Sequence, residues 1–268
     1  MTKVLMTFPH GKFKVLTLSY DDGRYADRRL VQLMNDYGIK GTFHLNSGLF
    51  GAKDRVPRED IAELFRGHEI SAHTVTHPTI ARCPKEQLVH EIMEDRMELE
   101  SIAGYTVRGM SYPNGSFNKA IKEILPMLGI EYSRVTESTG GFGMPDDWHE
   151  WKPTCHHYRN RNLLHLTESF LAANKSQYLY MMYVWGHSYE FDNDNNWELI
   201  ETFCARAGRR DDIWYATNIE IVDYVKSFHR LQFSASRSFV YNPSASPVWI
   251  QANGKIVEIG GGSEVQLT

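Results

Sequence analysis

Short apolar runs rich in β-branched and aromatic residues alternate, over most of the chain, with amphipathic stretches that end at glycine. This alternation is typical of repeated βα units, whose strands form a parallel sheet. The pattern contains about seven such units. The predicted strands are Val15 to Tyr20, Thr42 to Leu45, Glu69 to His73, Val107 to Tyr112, Tyr132 to Val135, Thr154 to His157, Tyr178 to Trp185 and Ile213 to Tyr215.

The amphipathic stretches between these strands have recognisable helix ends. A helix predicted from Asp27 to Tyr37 is followed by Gly38, which suits the left-handed position after a helix. Pro84 suits the first position of another helix, which is predicted to continue as far as Gly104. Further helices are predicted over 58–65, 118–128, 167–173, 196–207 and 218–228. We therefore expect an α/β fold, a distorted parallel (β/α)7-type barrel.

The pattern changes after about His229, where β-type residues alternate with turn signals. Asn253-Gly254 separates two short β-type runs and predicts a hairpin. A barrel of about 200–250 residues commonly forms one domain, and the 268 residues leave room for little more. We therefore expect a barrel over residues 1–228 and a small β-rich C-terminal extension over residues 229–268.

Composition and charge exclude some classes of protein. The chain is 42% hydrophobic and carries a formal net charge of −4. This charge, without a sustained basic block, argues against a main role in binding nucleic acid or an anionic membrane. Its three cysteines, Cys83, Cys155 and Cys204, lack CxxC spacing and are interpreted as reduced thiols. The first ten residues contain no apolar run of the length typical of a secretory signal, so we expect a cytoplasmic protein.

Two adjacent carboxylates stand where the first predicted strand ends, in Ser19-Tyr20-Asp21-Asp22-Gly23. Like charges repel, and each costs several kcal/mol to desolvate unless it is paired or bound to metal. His73-Thr74-Val75-Thr76-His77 offers two imidazoles that could complete a three-ligand metal site with one of the aspartates. Such a set leaves positions open for water and substrate, as in a catalytic site, and leaves the other aspartate free as a base.

The backbone around the two histidines is predicted to be a strand end followed by a turn. Thr74, Val75 and Thr76 are β-branched, and Pro78 favours extended geometry at His77. Read alone, this spacing would more often belong to ordinary surface or core histidines, but its combination with Asp-Asp-Gly at a strand end favours a metal site.

The candidate polar residues share one position in the pattern: each follows the carboxyl end of a predicted strand. In a parallel barrel those ends open on one face, where active sites lie. His187 follows an apolar strand and could protonate a leaving group, whereas His156 and His157 are interpreted as structural. The residues so placed are Asp21, Asp22, His73, Tyr112, Asn114 and His187.

This set of motifs resembles the polysaccharide deacetylases, carbohydrate esterase family four with its NodB-homology domain. The Asp-Asp-Gly segment is similar to the family's first motif, Thr-Phe-Asp-Asp-Gly, and the two-histidine segment fits the His-Ser/Thr-x-x-His motif. By this resemblance Asp21 would be the catalytic base, and Asp22, His73 and His77 would hold the metal. Trp185-Gly186-His187 resembles the fifth motif, which implies that His187 is the general acid and Trp185 a wall of the acyl pocket.

Two motifs depart from the family pattern. Arg-x-Pro-Tyr-Gly corresponds to Ser111-Tyr112-Pro113-Asn114-Gly115, so Ser111 replaces the arginine that holds the base. The Asn114 N–H would supply the oxyanion donor, beside Tyr112. Asp-x-x-Asp-Trp has no convincing match, because Asp146-Asp147-Trp148 is predicted to lie in a loop. Since the base needs a nearby cation, we expect Arg134 to supply it, with Arg108 as the second candidate.

The expected function is metal-dependent hydrolysis of N- or O-linked acetyl groups on a carbohydrate. The expected cofactor is a divalent ion, zinc in the first place, with cobalt, nickel or manganese as other candidates. The expected partner is an acetylated sugar or oligosaccharide, and a homo-oligomer is possible. Two alternatives stay open: a hydrolase of a non-sugar C–N bond in a small amide, imide or ureide, and a non-catalytic glycan-binding relative.

Overall fold

The computed structural model describes residues 2–158 and 162–267. Its strands are β1 (Val4–Met6), β2 (Lys14–Asp21), β3 (Gly41–Leu45), β4 (Glu69–Ala72), β5 (Gly109–Ser111), β6 (Tyr132–Arg134), β7 (Cys155–His156), β8 (Tyr180–Gly186), β9 (Ile213–Tyr215), β10 (Gln232–Phe233), β11 (Phe239–Tyr241), β12 (Val248–Ala252), β13 (Lys255–Ile259) and β14 (Glu264–Gln266). Its α-helices are α1 (Asp27–Asp36), α2 (Ile61–Leu64), α3 (Lys85–Ala103), α4 (Lys119–Ile124), α5 (Leu163–Ala172), α6 (Tyr189–Asn193), α7 (Trp197–Ala207) and α8 (Asn218–His229).

Seven parallel strands form the wall of the barrel, in the order β6-β5-β4-β3-β2-β8-β7, and β9 pairs with the first residues of β2. Trp151, just before β7, forms a parallel bridge with Arg134 of β6. The segment that leads into β7 therefore connects the two ends of the sheet. The expected (β/α)7-type barrel is confirmed.

Burial explains why the central strands read as continuous apolar runs. All eight residues of β2 are buried, because the strand has neighbours on both edges and helices pack outside the sheet. On α1 the buried apolar residues are Leu30, Val31 and Met34, which follow the 3.6-residue period of an amphipathic helix. Gly38 follows α1 with a φ of +66°, in the left-handed region that glycine adopts without strain.

The structure departs from the predicted elements mainly where elements are short. The segment predicted as one helix over 118–128 is α4 followed by a 3₁₀ turn, because Pro126 cannot donate to the preceding helical turn. The helix predicted over 58–65 likewise begins as a 3₁₀ turn before α2. The sequence analysis missed α6, whose five residues are too few to display a period.

The C-terminal strands form two small sheets, ordered β1-β12-β13 and β10-β11-β14. The predicted hairpin is present: Asn253 and Gly254, with φ of +50° and +85°, connect β12 to β13. One buried cluster joins barrel residues such as Val15 and Tyr183 to Val248 and Ile250 of β12. The first sheet thus includes a strand from the start of the chain, and a domain division at residue 228 stays a prediction.

No helix within residues 2–158 and 162–267 is long and apolar enough to cross a membrane.

Candidate active site

A cavity of about 360 Å³ opens at the carboxyl ends of the barrel strands. Its wall contains eight residues that the sequence analysis selected, together with Thr136 and Tyr189. The eight are Asp21, Asp22, His73, His77, Tyr112, Asn114, Trp185 and His187. Residues from β2 and β8, and from the segments after β2, β4, β5, β6 and β8, thus meet in one place although they are far apart in the sequence.

Asp21 is the last residue of β2 and is buried between two donors. Ser111 Oγ donates to its Oδ1 at 3.1 Å, and the Arg134 guanidinium donates to its Oδ2. Burial opposes ionisation of this carboxyl, but the charge of Arg134, helped by nearby histidines, keeps its pKa well below the ordinary value. Asp21 is therefore ionised and fixed in orientation.

Arg134 lies on the strand beside the one where the family motif carries its arginine. Ser111 of β5 and Arg134 of β6 are register partners in the parallel ladder, so their side chains leave the sheet side by side. The Arg134 guanidinium is fully buried and lies 4.2 Å from the centre of the Trp185 ring. The second candidate, Arg108, pairs instead with Asp223 at 2.7–2.8 Å and does not reach Asp21.

Asp22 begins the loop after β2 with a φ of +87°, which is costly for a residue with a side chain. Its Oδ1 lies 3.5 Å from Arg55 Nη1 and 3.8 Å from His77 Nε2. This oxygen is buried and has no hydrogen-bond partner in the described part of the chain. One ligand atom each from Asp22, His73 and His77 lies within 4.8 Å of the other two. A buried carboxylate oxygen beside two imidazoles, with an ion-pair contact to Arg55 but no hydrogen bond among the described residues, fits a divalent metal ion.

The two histidines come from the end of β4, as expected, but the predicted extended geometry at His77 is wrong. Thr74 and His77 have φ of +67° and +59°, which curls the loop so that both imidazoles face Asp22. Local hydrogen bonds outweigh the influence of Pro78: Thr74 Oγ1 accepts from the His77 N–H at 3.2 Å. The carbonyls of His73 and Thr74 accept from the Asn46 amide at 2.6 and 3.0 Å.

His73 has the arrangement typical of a metal-binding imidazole. Its Nδ1 lies 2.9 Å from the Ser111 carbonyl oxygen, which requires Nδ1 to carry the proton and leaves Nε2 as the free ligand atom. Burial lowers the pKa of His73 to about 4, so the ring is neutral. Neutral imidazole is the form that binds metal.

Two acidic residues of α3 that the sequence analysis did not select hold this loop. Asp95 accepts from the N–H groups of Ser47 and His73 at 2.8 and 2.9 Å, and burial raises its pKa to about 7. Glu91 accepts from the Thr76 N–H at 2.8 Å. Both lie on the buried face of α3 with Leu88, Ile92 and Leu99. Acidic residues at apolar positions of a helical stripe were the signal that could have revealed them.

Tyr112 and Asn114 belong to a tight turn after β5. The Tyr112 N–H donates to the Arg134 carbonyl at 3.1 Å, and the N–H groups of Gly115 and Ser116 donate within the turn. Pro113 has no N–H. Asn114 has a φ of +57° and lines the cavity, where its N–H could donate to a substrate oxygen.

His187 follows β8 and faces the cavity across from the two histidines. Its Nδ1 lies 3.4 Å from Glu190 Oε1, on the short helix α6. Burial disfavours the charged ring, but Glu190 and the more distant Asp21 outweigh it, so the pKa of His187 lies above its ordinary value. Glu190 is a further residue that the sequence analysis did not select.

His156 and His157 do not line this cavity, yet both contact Glu190. Their Nε2 atoms lie 3.1 and 3.2 Å from the same Glu190 oxygen. These are hydrogen-bonding separations between imidazole and carboxylate. The Asp146-Asp147-Trp148 segment lies elsewhere: Asp147 pairs with Lys122 at 2.6 Å and accepts from the His149 N–H.

The sequence model of the polysaccharide deacetylase family matches residues 9–133. This match is to part of the chain, and it makes residues 9–133 similar to the polysaccharide deacetylases. The resemblance inferred from the motifs is thereby confirmed. Arg134, Trp185 and His187 lie beyond the matched part, so the family match itself gives them no role.

Several characterised polysaccharide deacetylases are similar to this chain over part of their length. The peptidoglycan-N-acetylglucosamine deacetylase of Listeria monocytogenes is 24% identical over 163 residues, which are 60% of this chain and 30% of the relative. Chitin deacetylase 1 of Cryptococcus neoformans is 26% identical over 137 residues, which are 49% of this chain and 28% of the relative. The chain therefore spans less than a third of the length of these two relatives.

The barrel is also found among solved structures. A Mycobacterium smegmatis protein, provisionally classed as a polysaccharide deacetylase, superposes with a TM-score of 0.63. The match covers 83% of this chain and 93% of that protein at 15% identity. This similarity supports the shared fold.

Proposed function

We propose that this protein is a metal-dependent hydrolase that removes N- or O-linked acetyl groups from a carbohydrate. One observation carries the proposal: within a single cavity, a three-ligand group stands beside a buried, arginine-paired carboxylate and opposite a histidine whose pKa is raised. The arrangement contains a base, an acid and an ion site, which are the components of hydrolysis at a carbonyl carbon.

Asp22, His73 and His77 would hold the ion, for which zinc is our first candidate. Bound there, a divalent ion would polarise the acetyl carbonyl and lower the pKa of water in the cavity. His73 offers its Nε2, because Nδ1 is engaged by the Ser111 carbonyl. Asp22 offers its Oδ1, which accepts no hydrogen bond from the described residues.

The protein's own groups would handle the protons. Asp21, kept ionised by Arg134, takes a proton from the attacking water. The Asn114 N–H donates to the oxygen that becomes negative as the acetyl carbon turns tetrahedral. His187, whose pKa lies above its ordinary value, gives a proton to the departing amine or alcohol. Trp185 forms an apolar wall of the cavity that suits an acetyl methyl group.

The substrate class rests on the family and its characterised members. The relatives described above act on N-acetylglucosamine in peptidoglycan and on chitin. For this chain we propose an acetylated sugar or oligosaccharide.

Removal and return of the metal test this proposal. We expect dialysis against a chelator to abolish acetate release from N-acetylglucosamine oligomers, and zinc or cobalt to restore it. The variant His77→Ala should lose both the ion and activity, because one of three ligands is removed. His90→Ala provides the matched control, since His90 is an exposed histidine whose ring lies beside Glu94.

Full activity in protein shown by elemental analysis to be free of metal would contradict the metal role. A parallel assay for ammonia released from small cyclic amides separates the two hydrolase alternatives. Ammonia without acetate would replace the sugar substrate with a non-sugar C–N bond.

A further inference from the structure

Glu190 is the centre of a buried cluster of imidazoles beside the cavity. Its Oε2 lies 3.1 Å from His156 Nε2 and 3.2 Å from His157 Nε2, and it accepts from the backbone N–H of His187 at 3.2 Å. Its Oε1 lies 3.4 Å from His187 Nδ1. One carboxylate therefore contacts three imidazoles, and one of them belongs to the cavity wall. Burial opposes its charge, but the three histidines outweigh burial and keep the pKa of Glu190 below its ordinary value.

The contact with His187 decides which ring nitrogen can meet a substrate. Among the described residues Nδ1 makes no full hydrogen bond at this 3.4 Å separation, but a carboxylate accepts only, so Glu190 favours the form in which Nδ1 carries a proton. The other nitrogen, Nε2, is then the one available in the cavity. A histidine whose second nitrogen is fixed in this way has a defined tautomer and ring orientation.

The two other histidines are themselves held firmly. His156 ends β7 and accepts the Tyr158 N–H on its Nδ1 at 3.1 Å. This leaves the His156 Nε2 to donate toward Glu190. The His157 ring is stacked between Tyr20 and Phe191, with ring centres 5.6 and 4.2 Å apart. These contacts fix the direction from which both donors approach the carboxylate.

We propose that Glu190 is a positioning residue for His187, and that His156 and His157 hold Glu190 in place for this task. The proposal rests on the proposed function only in giving His187 the role of proton donor. Glu190 turns Nδ1 of His187 away from the cavity, holds Nε2 toward the leaving atom and stabilises the doubly protonated ring by its charge. Glu190 would thus act on the cavity through His187, because the side chain of Glu190 is not part of the cavity wall described above.

The variant Glu190→Gln tests this on two acetyl donors that differ in the leaving group. Release of acetate from N-acetylglucosamine oligomers needs a proton for the departing amine, whereas p-nitrophenyl acetate has a leaving group that departs without one. We expect kcat on the oligomers to fall by about 100-fold and hydrolysis of the aryl ester to change little. His187→Ala should show the same selective loss.

Asp194→Asn is the matched control, because it removes an exposed carboxylate directly after α6. We expect this variant to match the wild type on both substrates. His156→Gln should show a partial loss with the same selectivity. An equal loss on both substrates in Glu190→Gln, or none on either, would overturn the positioning role.

A spectroscopic measurement keeps the inference testable even if the protein does not deacetylate sugars. Imidazole ¹⁵N shifts at pH 8, with the His187 signals assigned by their loss in His187→Gln, report which nitrogen carries the proton. We expect the Nδ1–H form in the wild type and a mixture of tautomers in Glu190→Gln. Unchanged shifts would refute the contact. An ion retained by His77→Ala but lost from Glu190→Gln would show that the cluster is a metal site instead.

If the His187 ¹⁵N shifts differ between the wild type and Glu190→Gln as expected but no sugar releases acetate, the proposed function fails while the positioning of His187 stands. With acetate released and His187 shifts unaffected by Glu190→Gln, the positioning fails and the proposed function stands.

Discussion

At the scale of single residues, Asp21 is paired with a cation from β6, the strand beside the one where the family motif carries its arginine. Ser111 occupies the place of the family's arginine and contributes a hydroxyl at 3.1 Å, while Arg134 contributes the charge from the register partner position. Both side chains leave adjacent parallel strands on the same face. An arginine on either of these two neighbouring strands can therefore hold the Asp21 carboxylate in the same position.

We expect Arg134→Gln to reduce kcat/KM on an acetylated sugar by about 100-fold. Asp21, the proposed base, must be ionised to act, and Arg134 keeps its pKa low. Without the guanidinium this pKa rises, so the acidic limb of the pH–rate profile should shift to higher pH. Arg134→Lys keeps the charge without the planar fork and should retain part of the activity.

Arg108→Gln is the control for this experiment, because Arg108 is a partly buried arginine that pairs with Asp223 instead. It should leave the profile unchanged. Moving the guanidinium back, in Ser111→Arg combined with Arg134→Ser, should recover part of the rate lost in Arg134→Ser alone. An Arg134→Gln enzyme with the wild-type rate and profile would remove Arg134 from the site.

At the scale of elements, the close contact between β7 and β8 depends on a glycine. A Cβ added to Gly186 would lie 2.0 Å from Nδ1 of His157, whose ring covers the β8 backbone. The Trp185-Gly186-His187 segment thus combines a proposed wall of the acyl pocket, a glycine that leaves space for the His157 ring, and the candidate acid. Strand pairing between β7 and β8 extends over only two residue pairs, so side chains contribute much of their alignment.

We expect Gly186→Ala to destabilise the protein by about 1–3 kcal/mol through overpacking against His157. The displaced ring should also reduce deacetylation in the same selective manner as Glu190→Gln. Thermal unfolding and the two-substrate assay measure these effects. Gly143→Ala is the control, because a Cβ at Gly143 meets no other atom within 4 Å. Equal stability of the two variants would contradict the packing argument.

The sequence was a good guide to strands and to the side of the barrel where the candidate site lies. Asp21, His73 and His187 each follow an apolar run, and strand ends in a parallel barrel share one face. It was a poor guide to local backbone, because the φ of +59° at His77 accompanies a hydrogen bond from its N–H to Thr74 Oγ1 and two from the Asn46 amide to carbonyls of the same loop. Glu190 escaped notice because two of its three imidazole partners, His156 and His157, come from β7 and the residue after it.

At the scale of the whole molecule, the two ends of the barrel have different tasks. The carboxyl ends of the strands form a polar cavity, while the opposite end is closed by apolar contacts with the C-terminal strands, such as Val15 and Tyr183 with Val248. The closed end also contains a buried acid, Glu69, at the start of β4. Tyr132 donates to its Oε1 at 2.7 Å, and Thr42 and the Ile219 N–H donate to its Oε2 at 2.9 Å.

Glu69 should make the stability of the whole molecule depend on pH. Burial outweighs its three hydrogen bonds and raises its pKa from 4.5 to about 7. Because the folded value exceeds the unfolded one, the stabilisation from the neutral form is fully present below about pH 4.5 and is lost as the pH rises through about 7. Glu69→Gln keeps the neutral shape, so it should match the wild type near pH 5 and exceed it at pH 8. The difference at pH 8 should be about 3 kcal/mol, measured by urea unfolding at each pH.

Glu86→Gln removes an exposed carboxylate at the start of α3 and should show no such trend. A constant difference between Glu69→Gln and the wild type from pH 5 to 8 would mean that Glu69 is already ionised in the fold at pH 5.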